Sequence, residues 1–385
     1  MLRPTAPRVG LALAGLLLLA YAFVVAPGAW RDDPGTGASA QRPARATPQA
    51  STDVPAAVLP SPRGGPFPPA GQAFFGVMTD KGPHDFAPVD RFVEAAGRAP
   101  QVMLFGADWA SAEFDRSLFD RIAERGMMPM LGWEPWDHTV DLAARRTGLA
   151  VRQIDRLRAT QPDYRLDRIA RGDFDAYLRS WAEGVRSLGY PVAIRFAHEM
   201  NGDWYPWCER ANGNRPGDYV RAWRHVHDLF ARAGATNVTW VWSPNARWDK
   251  TTAGLTGLYP GDDYVDWVGV TGYYGTGAFT KTYWSFDQIF GPTIAEIRKV
   301  TRKPLVVTET GAADTAGRKA RWIRETFGSL PRYPDLIGLI WFEVDKEQDW
   351  RIAGSPAAAT AFAEAVGGAR YDVTWSATSR PRAGP

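Results

Sequence analysis

The chain has 385 residues, 45% of them apolar, which is enough for one large core or two smaller ones. Its 45 basic and 42 acidic residues leave a formal charge of only +3 with no basic block, so nothing in the charge pattern asks for nucleic acid. A single cysteine, Cys208, excludes an intrachain disulfide and a cysteine metal cluster.

Val9 to Ala26 is an almost unbroken apolar run behind Arg3 and Arg8 and ahead of Pro27-Gly28. Signal-peptide cores span about 7–15 residues and membrane-crossing helices about 20, and this run lies between them, so residues 1–30 read as a signal peptide or a membrane anchor. Ala20-Tyr21-Ala22 fits a cleavage pattern but sits inside the run, and Pro27 is a poor residue to follow a cut. The expectation is therefore a retained anchor over 9–26, with the remainder extracellular or at the cell surface, because the preceding arginines stay in the cytoplasm. A mature N-terminus near residues 23–30 would replace the anchor by a cleaved leader. Residues 31–70, rich in Pro and Ala, read as a disordered linker, 71–368 as the folded domain and 369–385 as a flexible tail.

Within the folded part, eight short β-rich runs alternate with helical patterns. The predicted strands are Phe74–Val77, Val102–Phe105, Met128–Trp133, Val192–Phe196, Val238–Ser243, Trp267–Val270, Leu305–Thr308 and Ile337–Trp341. Amphipathic spacing predicts helices over Phe174–Leu188, Tyr219–Ala233, Phe286–Val300 and Lys319–Leu330. Eight βα units in about 300 residues predict an α/β fold, a (β/α)8 barrel. A doubly wound sheet lacks support, since no G-x-G-x-x-G or Walker loop follows a strand.

Function in such a barrel collects at the C-terminal ends of the strands, and here those ends are polar and aromatic. Trp133-Glu134-Pro135-Trp136 follows the third strand, His198-Glu199 the fourth, Ser243-Pro244-Asn245 the fifth, Gly272-Tyr273-Tyr274 the sixth, Glu309 the seventh and Trp341 the eighth. Two-residue periodicity places Ala193, Arg195, Ala197 and Glu199 on one face, and Leu305, Val307 and Glu309 on another. Glu199 and Glu309 then point into one cleft from nearly opposite strands, the arrangement that glycoside hydrolysis needs. Glu199 paired with Arg195 as a buried structural carboxylate is the bland alternative. Metal binding is not expected: "HEMNG" carries Gly202 where H-E-x-x-H needs its second histidine, and His225 and His227 do not share a helix face.

The segments "RFAHEMNGDWYPW", "NVTWVWSPN", "LYPGDDYVDWVGVTGYY", "KPLVVTETG" and "WFEVDKEQDWRI" occur in this order. Together they resemble glycoside hydrolase family 26, whose best-known members are β-1,4-mannanases, from about Phe74 to Val366. The resemblance implies a retaining glycosidase with Glu199 as acid/base and Glu309 as nucleophile. It also implies that His198 lies by the reacting sugar, that Trp204 packs near the cleaved bond, that Tyr273 hydrogen-bonds the nucleophile and that Trp341 is a platform beneath the sugar. Arg195 then serves to hold the nucleophile ionised. Asn201, Asn245 and Glu134 are expected to bind sugar hydroxyls, while Glu343, Asp345 and Asp349 contact substrate or fix loops. Thr271-Gly272-Tyr273-Tyr274 departs from the Asp-Gly-Tyr-Asn often found in the family, so mixed-linkage glucan, xylan or an exopolysaccharide stays open beside mannan.

The expected activity is hydrolysis of a β-1,4-linked polysaccharide, β-mannan first, at internal bonds by a double displacement. Transglycosylation with the same glutamates and a noncatalytic polysaccharide-binding barrel are the alternatives. The reading needs no cofactor and no metal, takes the polysaccharide as partner, makes the chain a monomer and touches the membrane only through the N-terminal segment.

Overall fold

A computed structural model describes residues 68–247, 253–275, 282–346 and 348–373. The expected anchor, nearly all of the linker and most of the tail lie outside the described residues. The strands are β1 (Phe74–Thr79), β2 (Val102–Asp108), β3 (Met128–Glu134), β4 (Val192–Phe196), β5 (Val238–Trp242), β6 (Trp267–Tyr274), β7 (Leu305–Ala312) and β8 (Leu336–Glu343). Each pairs in parallel with the next, and β1 closes on β8 to complete the barrel. The helices are α1 (Ala87–Ala96), α2 (Arg116–Glu124), α3 (Thr139–Arg145), α4 (Val151–Ala159), α5 (Leu166–Ala170), α6 (Asp175–Leu188), α7 (Asp218–Arg232), α8 (Phe286–Val300), α9 (Lys319–Ser329) and α10 (Pro356–Val366).

All eight strands and the four predicted helices are present, most of the strands extended at their C-terminal ends. Local chemistry sets many boundaries. Asp115 accepts a hydrogen bond from the Ser117 amide to start α2, and Ser285 and Gln288 form a capping box at α8. Gly189 ends α6 at φ 75°, a backbone conformation that costs other residues more.

Every second residue of each strand faces the barrel axis. Phe74, Leu104, Met130, Ala193, Val241, Trp267, Val306 and Ile340 form a separate inner cluster, with Phe74 stacked on Trp267 at 5.4 Å. The lower barrel is thus an apolar plug. Gly338 makes room for it, since a Cβ there would lie 2.2 Å from the Phe74 ring. Alternate residues, among them Phe75, Leu131, Ile194 and Trp341, face outward against the helices. The fold also runs past Gly368: buried Tyr371 packs on Phe75 and Phe327.

Candidate active site

One step above the apolar plug, the same alternation brings polar groups inward. Arg195 follows Ala193 on β4, Thr271 follows Gly269 on β6, and Ser243 lies just beyond β5. The Arg195 guanidinium is buried and spends three nitrogens on fixed partners: Nε donates to Ser243 Oγ (3.0 Å), Nη1 to Glu309 Oε2 (2.9 Å) and Nη2 to Thr271 Oγ1 (2.5 Å). The cation is held rigidly against Glu309, and the expected alternative pairing with Glu199 does not occur.

Glu309 reaches the axis by a route that strand counting misses. Leu305 and Val307 face outward in the helix-side core, whereas Glu309 faces Arg195. The correction lies in a β-bulge. Val270 pairs with Val307 but Thr271 pairs with Glu309, so Thr308 is an extra residue that shifts the alternation by one. Val306 and Thr308 point inward before the shift, Glu309 and Gly311 after it. Thr308 Oγ1 bonds Ser243 Oγ at 2.7 Å, tying the bulge to the hydroxyl that also holds Arg195. Tyr273, inward-facing on β6, donates its hydroxyl to Glu309 Oε1.

Alternation also fails on β4. The strand ends at Phe196, and Ala197 turns to φ 45° and packs in the outer layer, contrary to the expected shared face with Arg195. Glu199, at φ 54°, is swung back over the axis. Left-handed backbone at two non-glycine residues costs about 1–3 kcal/mol each. Amide bonds hold it in place: Ala197 N donates to Trp133 O (3.0 Å) and Glu199 N to Ser243 O (2.7 Å). Trp204 Nε1 donates to Glu199 Oε2 at 3.0 Å, and the Asn245 side chain also bonds this carboxyl.

The two glutamates sit in different electrostatic settings. Burial, then the charge of Glu309, pushes Glu199 up to about 7, against the lowering influence of Arg195, Asn245 and Trp204. Glu309 accepts hydrogen bonds from the Arg195 guanidinium and the Tyr273 phenol. Both side chains are buried at the C-terminal ends of the strands.

Asp108 and Glu134 are register partners on β2 and β3 and extend this inner ring. Burial would raise Asp108, but bonds from His138 and Ser111 outweigh it and hold its carboxyl below the usual range. Burial and the neighbouring Asp108 charge push Glu134 well up, while its Oε2 accepts from Trp136 Nε1 at 2.9 Å. His198 Nε2 lies 4.0 Å from Glu134 Oε1, and neither ring nitrogen has a hydrogen-bond partner among the described residues. Burial and Arg195 drive His198 well down, leaving a neutral imidazole beside the stacked rings of Tyr205 and Trp207. The carboxylates of Asp108 and Asp137 with His138 offer atoms within 4.8 Å of one another that could ligate a metal. Their own bonds already account for the cluster: Ser111 and His138 bond Asp108, and Thr139 bonds Asp137.

Two expected site residues fall elsewhere. Trp341 occupies an outward position on β8, fully buried against Trp322 and Phe362 of the helix layer, because it lies between the inward residues Ile340 and Phe342. Trp350, in the loop after β8, is the tryptophan beside Tyr273, with ring centroids 4.9 Å apart. Asn201 commits its side chain to the Asn245 backbone, Nδ2 to O and Oδ1 from N, both at 2.9 Å, so it positions Asn245 and has no reach to a sugar. Glu343 fixes the β8 loop through the Ile352 and Ala353 amides, and Asp345 and Asp349 pair with Arg351. Sequence reading passed over Arg158. It is buried, pairs with Asp155 at 2.6 Å and donates from Nε to Trp204 O at 2.8 Å, behind the indole that holds Glu199.

Residues 152–315 match the family model for glycosyl hydrolase family 26. Endoglucanase H of Acetivibrio thermocellus is 34% identical over 312 residues, which are 77% of this chain and 31% of that protein. The chain belongs to glycosyl hydrolase family 26. A mannan endo-1,4-beta-mannosidase of Bacillus subtilis strain 168 is 28% identical over 151 residues, 37% of each protein. This family 26 chain thus spans only about a third of the length of these curated relatives. The solved Bacillus subtilis mannanase BCman shares its fold, with a TM-score of 0.51 at 21% identity over 80% of this chain and 87% of that one.

Proposed function

We propose that the barrel hydrolyses internal β-linkages of a polysaccharide with retention of anomeric configuration. The observation that carries this reading is the pairing of a carboxyl raised to about 7, Glu199, with a carboxylate clamped by Arg195 and Tyr273, Glu309. In the first step Glu199 gives its proton to the leaving glycosidic oxygen while a Glu309 oxygen bonds the anomeric carbon and the C–O bond breaks. In the second, Glu199 takes a proton from water, the water oxygen bonds the anomeric carbon and the ester to Glu309 breaks. Neutral His198, whose ring nitrogens have no partner among the described residues, suits a sugar hydroxyl as donor or acceptor, with Glu134 4.0 Å from it and Asn245 bonded to Glu199 to share that role.

Family membership supports β-1,4-mannan as a substrate. Mixed-linkage or β-1,4-glucan is a second reading, favoured because the likeness to an endoglucanase runs over 77% of the chain and that to the Bacillus mannosidase over 37%. A panel of mannan, glucan and xylan, with products sized during digestion, separates these. An internal cutter shortens its preferred polymer to mixed oligosaccharides before any monosaccharide accumulates. Failure to cleave any β-glycan, with binding intact, would make the barrel a noncatalytic receptor, and elongated products with added acceptor would make it a transglycosylase.

The proton-donor role of Glu199 sets the alkaline limb of the pH profile. Glu199 must be protonated in the first step, and burial raises its pKa to about 7, so kcat/KM is expected to fall as pH rises through about 7. Glu199→Gln, assayed on a substrate that needs no protonation, is expected to lose that descending limb. A limb that persists unchanged in this variant assigns the titration to another group.

A further inference from the structure

The four large apolar side chains that remain exposed among the described residues are Leu142, Leu149, Val151 and Leu157. All four belong to the hairpin of α3 and α4, inserted between β3 and α6. Arg146, Arg152 and Arg156 are exposed on the same hairpin, and none has a carboxylate within ion-pair reach among the described residues. The arginines turned inward behave differently: Arg145 pairs with Asp141 at 2.7 Å, and buried Arg158 with Asp155. Carboxylates thus serve the underside, and the exposed positions of the hairpin are left both cationic and apolar.

We propose that this face docks on an anionic lipid surface. Aliphatic tips beside unpaired arginines are the composition of a helix that lies in a lipid interface, where each cation is drawn to anionic headgroups and the aliphatic groups enter the acyl boundary. The exposed hairpin positions carry no aromatic ring, so the face is no platform for sugar. It is also preorganised. Arg158 anchors the underside through Trp204 O, and its guanidinium lies 5.5 Å from the centre of the Tyr205 ring, so docking does not have to order the hairpin. The proposal stands apart from the expected N-terminal anchor.

The test uses the full chain with Leu149→Cys labelled by an environment-sensitive dye. Cys208 is fully buried and its thiol is pushed up to about 12 by burial, so the dye goes to position 149. Vesicles of phosphatidylglycerol and phosphatidylcholine in equal parts are compared with phosphatidylcholine alone. Any insertion of the N-terminal segment is common to both compositions, and the dye reports only the hairpin. A blue shift is expected on the anionic vesicles alone, reversed by raising salt. Replacing all three arginines, Arg146→Ser, Arg152→Ser and Arg156→Ser, is expected to weaken hairpin insertion about 100-fold with an unchanged circular dichroism spectrum. No shift on anionic vesicles, or an equal shift on both, overturns the proposal. A shift without vesicles that grows with protein concentration overturns it in favour of a second copy of the chain.

Discussion

Glu309→Ala is expected to lower kcat by roughly 10⁵-fold or more, on substrates with good and poor leaving groups alike. The loss has two sources that must be separated. Removing the carboxylate deletes the group that bonds the anomeric carbon, and it also leaves the Arg195 cation buried without its anion, a change that costs about 3–5 kcal/mol of stability. Glu309→Gln keeps an oxygen for the Tyr273 hydroxyl and nearly the original volume, so it is the cleaner variant. Initial rates are measured beside melting temperature. An intact nucleophile role requires both variants to lose activity to the same degree even where the glutamine protein melts close to the parent. Azide supplied to Glu309→Ala adds a stereochemical reading: one displacement by a small anion in the vacated space inverts configuration and releases an α-glycosyl azide. A glutamine variant that is stable and keeps more than about 1% of parental kcat would remove Glu309 from the covalent step.

Glu199→Ala is expected to divide substrates by their leaving groups. A dinitrophenyl glycoside departs without a proton, so its bond should still break quickly, giving a burst of dinitrophenol followed by a stall as the glycosyl ester on Glu309 waits for a base. The natural polymer has a poorly acidic leaving oxygen and should be cleaved at least about 10³-fold more slowly than by the parent, in line with the loss of general-acid catalysis. Azide needs no deprotonation. It should attack the ester, restore turnover and release a β-glycosyl azide, since two inversions give retention. The variant also removes the acceptor of the Trp204 indole bond, so Trp204→Phe serves as a control that loses that bond with the carboxyl in place. Equal slowing on both substrates with no response to azide would sink the acid/base role, and a first product of inverted configuration would sink the double displacement.

Much of the arrangement behind these expectations is legible in single stretches of chain. β-rich runs marked all eight strands, and two-residue periodicity put Arg195 beside Ala193 on an inward face. The same rule, carried through Ile337–Trp341, places Trp341 on the helix side once Ile340 is known to face inward; the family likeness had put it beneath the sugar. Helices α1 to α5 and α10 were not named from the sequence, and for α3, α4 and α5 the reason is local. They are short, and polar residues interrupt their apolar spacing, so periodicity has too few turns to register. Arg158 in α4 was missed for the same reason, and because its value lies in one carbonyl 46 residues away.

The sequence alone determined the barrel and the ring of polar strand ends, because β-rich runs and turn chemistry are properties of a few neighbouring residues. Only the tertiary structure decided how the glutamates arrive there and how they differ. The bulge at Thr308 exists only as a mismatch between paired strands, and the left-handed turn at Ala197 and Glu199 is sustained by the carbonyls of Trp133 on β3 and Ser243 just beyond β5. Glu199 rises to about 7 because folding removes water from it and sets the Glu309 charge nearby. Each of these is an interaction across the barrel, and it has no value until the chain has closed.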